Sequence, residues 1–62
     1  MNIGHYTGIA RAICMPHKVY VHYEFSMGGF RWNFYRNGRL IDSTKDSEKV
    51  VELAEKIVDT GK

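Results

Sequence analysis

Residues 17–35 read HKVYVHYEFSMGGFRWNFY, and the fold turns on how this stretch is parsed. Val19, Val21, Tyr23, Phe25 and Met27 alternate with Lys18, Tyr20, His22, Glu24 and Ser26. That two-residue period is the pattern of a strand buried on one side only. After Gly28-Gly29, the residues Phe30, Trp32 and Phe34 alternate with Arg31, Asn33 and Tyr35, which gives a second strand. A two-residue Gly28-Gly29 loop sets Met27 opposite Phe30, Phe25 opposite Trp32 and Tyr23 opposite Phe34, so apolar meets apolar along the hairpin.

The chain continues with Asn37-Gly38, a strong signal for a type I′ turn because both residues tolerate positive φ. It places Tyr35 opposite Leu40 and Phe34 opposite Ile41 in a short third strand over 39–43. From Lys45 the period changes: Val50, Leu53, Ala54, Ile57 and Val58 recur at helical spacing, with charged residues between them. Ser43, Thr44 or Asp46 can cap this helix, and Gly61 can end it. Its apolar stripe is expected to cover Phe25, Trp32 and Phe34.

Residues 1–16 support two readings. Tyr6, Ile9, Ala10 and Ile13 fall at helical spacing before Pro16, while Ala10, Ala12 and Cys14 alternate with Ile9, Arg11, Ile13 and Met15 as in a strand. The strand reading, with a turn at 15–18, lays small residues under the C-terminal helix. The expected fold class is therefore α+β, one domain over 1–62, with an antiparallel meander of three to four strands packed on one C-terminal helix. The alternative order is helix, three strands, helix.

Sixty-two residues with 44% hydrophobic and 26% charged side chains suffice for one thin-cored domain and exclude separate catalytic and regulatory halves. Homodimerisation or a partner is one way to supplement such a core. The single cysteine, Cys14, rules out an internal disulfide, and no apolar run is longer than 12–15, so neither a signal peptide nor a membrane span is expected and the cytoplasm is the expected compartment. Net charge is +2. The basic excess lies in residues 1–43, where five Arg and Lys face two acids. This permits contact with nucleic acid or an acidic protein surface and demands neither.

Catalytic and metal chemistry find little to work with. His5, His17 and His22 with Cys14 do not share a ligand spacing, and His17 and His22, five apart on one strand, point to opposite faces. Cys14 has no neighbouring base and reads as a buried structural thiol. Glu24 and Asp42 are not paired in a cleft, and no glycine pattern matches a phosphate cradle. No enzyme activity and no cofactor are expected.

The candidate surface is the outer sheet face, where Tyr20, His22, Arg31, Asn33 and Tyr35 mix aromatic rings with cations; in the expected register His22 faces Tyr35. Arg36 and Arg39 add a basic spot beside the Asn37-Gly38 turn. Tyrosine and arginine are enriched at protein interfaces, which makes a protein the first partner, anchored by Tyr20, Arg31 and Tyr35. The same residues suit a nucleic acid, stacking bases and neutralising phosphates, against the repulsion of Glu24 and Asp42.

With a helical N-terminus, the element order would resemble a double-stranded-RNA-binding domain over nearly the whole chain. That family grips phosphate with lysines at the start of its last helix. Lys45-Asp46-Ser47-Glu48-Lys49 interrupts them with two acids, so the RNA activity is not carried across. In length, absence of catalytic motifs and hairpins backed by a helix, the chain also resembles small phage-encoded inhibitors, anti-CRISPR proteins among them. This resemblance implies a non-enzymatic protein that occludes a host machine through its surface, and it transfers no residue.

Overall fold

The computed structural model describes residues 2–60. Helix α1 (Ile3–Cys14) and a short 3₁₀ turn (Met15–His17) lead into strands β1 (Val19–Ser26), β2 (Gly29–Arg36) and β3 (Arg39–Thr44), then helix α2 (Ser47–Thr60). The sheet is an antiparallel meander in the order β1-β2-β3. The class is α+β, with two helices in place of the expected single one.

The N-terminal strand expected above is a helix. Asn2 caps it, its side-chain oxygen accepting from the His5 amide at 2.9 Å, and the buried residues Thr7, Ala10 and Cys14 follow helical spacing. The strand reading rested on the small residues Ala10, Ala12 and Cys14 at alternating positions, and Gly4 and Gly8 each cost a helix roughly 1 kcal/mol relative to alanine. Tertiary packing overrides them: the Trp32 indole N–H donates to Thr7 Oγ1 at 2.8 Å in the core, and Thr7 Oγ1 donates to Ile3 O at 2.7 Å. Ala12 is exposed, and Arg11 lies on α1, away from the outer sheet face. Pro16 sits inside the 3₁₀ turn, which Lys18 closes in the left-handed conformation (φ 60°).

The first hairpin keeps the expected faces but shifts register by two residues. Met27 and Gly28, at φ 51° and 84°, form the turn, so Phe25 pairs with Phe30, Tyr23 with Trp32 and Val21 with Phe34. Asn37 and Gly38 repeat the same backbone at φ 53° and 75°. Both hairpins thus place glycine second in the turn, the position the Gly28-Gly29 reading missed. In the second hairpin Tyr35 pairs with Leu40 as expected, but a bulge follows and Phe34 pairs with Asp42 instead of Ile41. The extra residue leaves Ile41 exposed.

Both helices cover one sheet face, α1 packing on β1 and α2, and α2 on β3. The core joins Ala10 and Cys14 of α1, Val19, Val21, Trp32 and Phe34 of the sheet, and Val50, Ala54 and Ile57 of α2. Trp32 is 1% exposed, as expected of a residue beneath a helix. Since α1 runs antiparallel to β1, and α2 antiparallel to β3, the two helices run in the same direction. Their N-termini flank the Met27-Gly28 turn and their C-termini lie towards Asn37-Gly38.

Candidate functional site

Lengths fix where the sheet is left bare. Strands of eight residues span about 26 Å, whereas α1 with 12 residues and α2 with 14 span about 18 and 21 Å. β3, with six residues, spans about 20 Å and pairs with β2 only as far as Thr44 opposite Trp32. Gly29, Phe30 and Arg31 therefore pair with β1 alone, and the hairpin projects as a two-stranded arm.

Phe25, Met27 and Phe30 are 66%, 68% and 57% exposed. Phe25 and Phe30 meet edge to face at 5.4 Å between ring centres, and Phe30 stacks on Tyr23 at 5.6 Å. The aromatic row continues to Trp32, whose ring lies 4.6 Å from Tyr23. Phe25 and Phe30 offer on the order of 250 Å² of contiguous aromatic surface, an exposed patch of the kind that is often functional, while Met27 turns its sulfur towards Arg31 of the outer face. Met27 adds a conformational sign. It occupies the left-handed region, where a side chain other than Gly, Asn or Asp costs roughly 1 kcal/mol, and holds a large apolar group in water there.

The outer face is built differently. Glu24 Oε2 accepts from Asn33 Nδ2 at 2.8 Å and from the Tyr35 hydroxyl. Asn33 Nδ2 also reaches Ser26 Oγ at 3.1 Å. The Tyr35 and Asn33 hydrogen bonds hold the Glu24 carboxyl below its ordinary pKa, and the same bond raises that of Tyr35. Arg31 Nη1 donates to Ser43 Oγ at 3.1 Å and touches the Met27 sulfur at 3.3 Å, while its Nε and Asn33 Oδ1 are buried without a partner.

Tyr20, His22, Arg31, Asn33 and Tyr35 do share one face, with the His22 and Tyr35 rings edge to face at 5.6 Å. The direct cross-strand partner of His22 is Asn33, and that of Tyr35 is Tyr20. Asn33, expected to be exposed, is 1% exposed, enclosed by its own neighbours. Arg36 and Arg39 pair directly with each other, and Arg36 pairs with the core residue Val19, so both stand on the helix-bearing side. Arg36 is close enough to Cys14 to offset part of the rise that burial imposes on the thiol pKa. With both helix C-termini at this end, the two arginines and Lys18 complement the helix dipoles.

No family model, curated protein or solved structure matches the chain.

Among the described residues no three His, Cys, Asp or Glu side chains gather where a metal ion could be held, and no helix is long and apolar enough to cross a membrane. The residues sequence reasoning missed are Phe25, Met27 and Phe30, which alternation alone assigned to the core. A signal for them was present. With a turn at 37–38 and a helix under way by residue 48, the third strand is too short to reach back to residue 29.

Proposed function

We propose that this protein is a non-catalytic protein-binding module that docks through its hairpin arm and acts by occluding the surface it covers, as the small phage-encoded inhibitors do. One observation carries this reading: two phenylalanines, Phe25 and Phe30, each more than half exposed, meet edge to face on a projecting arm that also exposes Met27. Tyr20 and His22 are exposed on the outer face, towards the Asn37-Gly38 end of the sheet. The carboxylate fixed at the centre of the outer face by Tyr35 and Asn33 favours a protein over a phosphate backbone. Although the element order is that of the double-stranded-RNA-binding domains, Asp46 and Glu48 at the start of α2 weigh the same way.

The test is capture by the immobilised wild-type protein beside the Phe25→Ser/Phe30→Ser variant, with and without nuclease. Both positions are solvent-facing, so the variant is expected to retain its fold by circular dichroism and Trp32 fluorescence. A protein retained by the wild type after nuclease and lost by the variant is the expected result. Equal capture by both removes the arm from consideration, and capture that vanishes with nuclease favours nucleic acid.

A further inference from the structure

The two sheet edges are guarded unequally. On β3 the bulge breaks the edge, and the outward-facing Ser43 amide is satisfied by the Asp42 carboxylate at 2.8 Å. Both devices discourage pairing with another strand. On β1 the guard covers only the first half, where Arg11 of α1 reaches across and donates from Nε to Val21 O at 3.0 Å. That contact also shows that the Val21 carbonyl points outward, away from β2. By the two-residue repeat of an antiparallel ladder, Tyr23 and Phe25 present their amides and carbonyls in the same direction, and no partner among the described residues takes them. This open stretch borders the aromatic cluster of the arm.

We propose that this edge, Tyr23–Phe25, accepts an extended segment of a partner protein as a fourth antiparallel strand, and that the segment reads apolar, basic, apolar. The inference rests on the arm being the docking surface and specifies what docks there. Two residues of the incoming strand exchange backbone hydrogen bonds with Tyr23 and Phe25 and set apolar side chains beside those two rings. The residue between them lies opposite Glu24 on the outer face, in a non-hydrogen-bonded pair where side chains approach most closely. Both intramolecular bonds to Glu24 converge on Oε2, leaving Oε1 free to receive a lysine or arginine.

A second copy of the chain fits poorly. Two arms buried against each other through Phe25 and Phe30 supply on the order of 500 Å² in total, short of the ~1,200 Å² at which specific interfaces begin. Pairing two β1 strands about Glu24 also sets carboxylate against carboxylate, which is destabilising.

The test uses the whole chain, ¹⁵N-labelled, titrated with a seven-residue peptide in which two valines flank a central lysine and threonines fill the remaining positions. The expected result is slowed amide exchange at Tyr23 and Phe25. Replacing the lysine by glutamate weakens binding roughly three- to tenfold, and the Glu24→Gln variant narrows that difference. Methylating both valine nitrogens abolishes binding. Equal affinity for the lysine and glutamate peptides, undiminished binding of the methylated peptide, or protection at β3 instead of β1 overturns the proposal. Absence of peptide binding, with partner capture still lost in Phe25→Ser/Phe30→Ser, overturns the strand mechanism and keeps the arm. Capture indifferent to that double variant removes both. A concentration series in light scattering that shows a dimer dissolved by Phe25→Ser overturns the hetero-partner assignment.

Discussion

Replacing Thr7 by valine tests the contact that anchors α1 on the sheet. The Thr7 hydroxyl receives the Trp32 indole N–H at 2.8 Å inside the core, and both residues are buried, Thr7 at 8% and Trp32 at 1% exposure. Valine has nearly the same shape and the same branching at Cβ, so packing and χ1 freedom change little. What it removes is the acceptor, leaving a buried indole N–H unpaired at a cost of about 1–3 kcal/mol. For a domain of this size 1 kcal/mol moves the melting midpoint by roughly 4–8 °C, so Thr7→Val is expected to melt about 4–24 °C lower. Thr7→Ser keeps the hydroxyl and is expected to lose less. Thermal unfolding followed by circular dichroism ranks the three proteins, and the indole proton shift in NMR reports the bond itself. A Thr7→Val protein as stable as the wild type, or a Thr7→Ser protein melting below Thr7→Val, would refute the bond as the anchor of α1.

The outer-face network should respond to pH at both extremes. The Glu24 pKa is lowered in the fold, so its stabilisation is present above the unfolded carboxylate value and fades as pH falls through the lowered one. The Tyr35 pKa is raised, so its contribution holds below the ordinary tyrosine value near 10 and is lost as pH climbs through the raised one. Urea midpoints across pH should fall on both flanks, and Tyr35→Phe should flatten the alkaline flank. In the turn, Met27→Asn relieves the left-handed strain and is expected to raise stability by several tenths of a kcal/mol. Gly28→Ala, at φ 84° with nothing within 4 Å of the added carbon, should cost about 1–2 kcal/mol from backbone strain alone; denaturant titration measures both. Cys14 is fully buried with its thiol pKa raised by desolvation, so iodoacetamide should label it only as fast as the protein unfolds. Rapid labelling of the native protein would contradict its place in the core.

Much of the fold was legible because alternation and helical spacing are properties of the chain itself. The existence and order of the three strands and the C-terminal helix follow from which residues repeat every two positions and which every three to four. Even with the register misplaced by two residues, the faces came out right, since a shift of two preserves side-chain direction. The N-terminal helix was not decided by its own sequence. Ala10 and Cys14 fit one face of a helix as well as one face of a strand, the glycines at 4 and 8 weigh against a helix, and the deciding bond from Trp32 to Thr7 spans 25 residues.

The candidate surfaces divide in the same way. That Tyr20, His22, Arg31 and Tyr35 share a face was fixed by parity along the strands. That Asn33 is enclosed there depended on how neighbouring side chains fill the sheet, whereas Arg36, two residues beyond Phe34, and its partner Arg39 belong to the opposite side by the same parity. The sequence alone determined the amphipathic pattern, because burial follows side-chain direction along each strand and helix. The tertiary structure alone determined how far that burial extends: two helices shorter than the hairpin cannot cover it, and the apolar residues beyond their reach, Phe25, Met27 and Phe30, face solvent in place of the core.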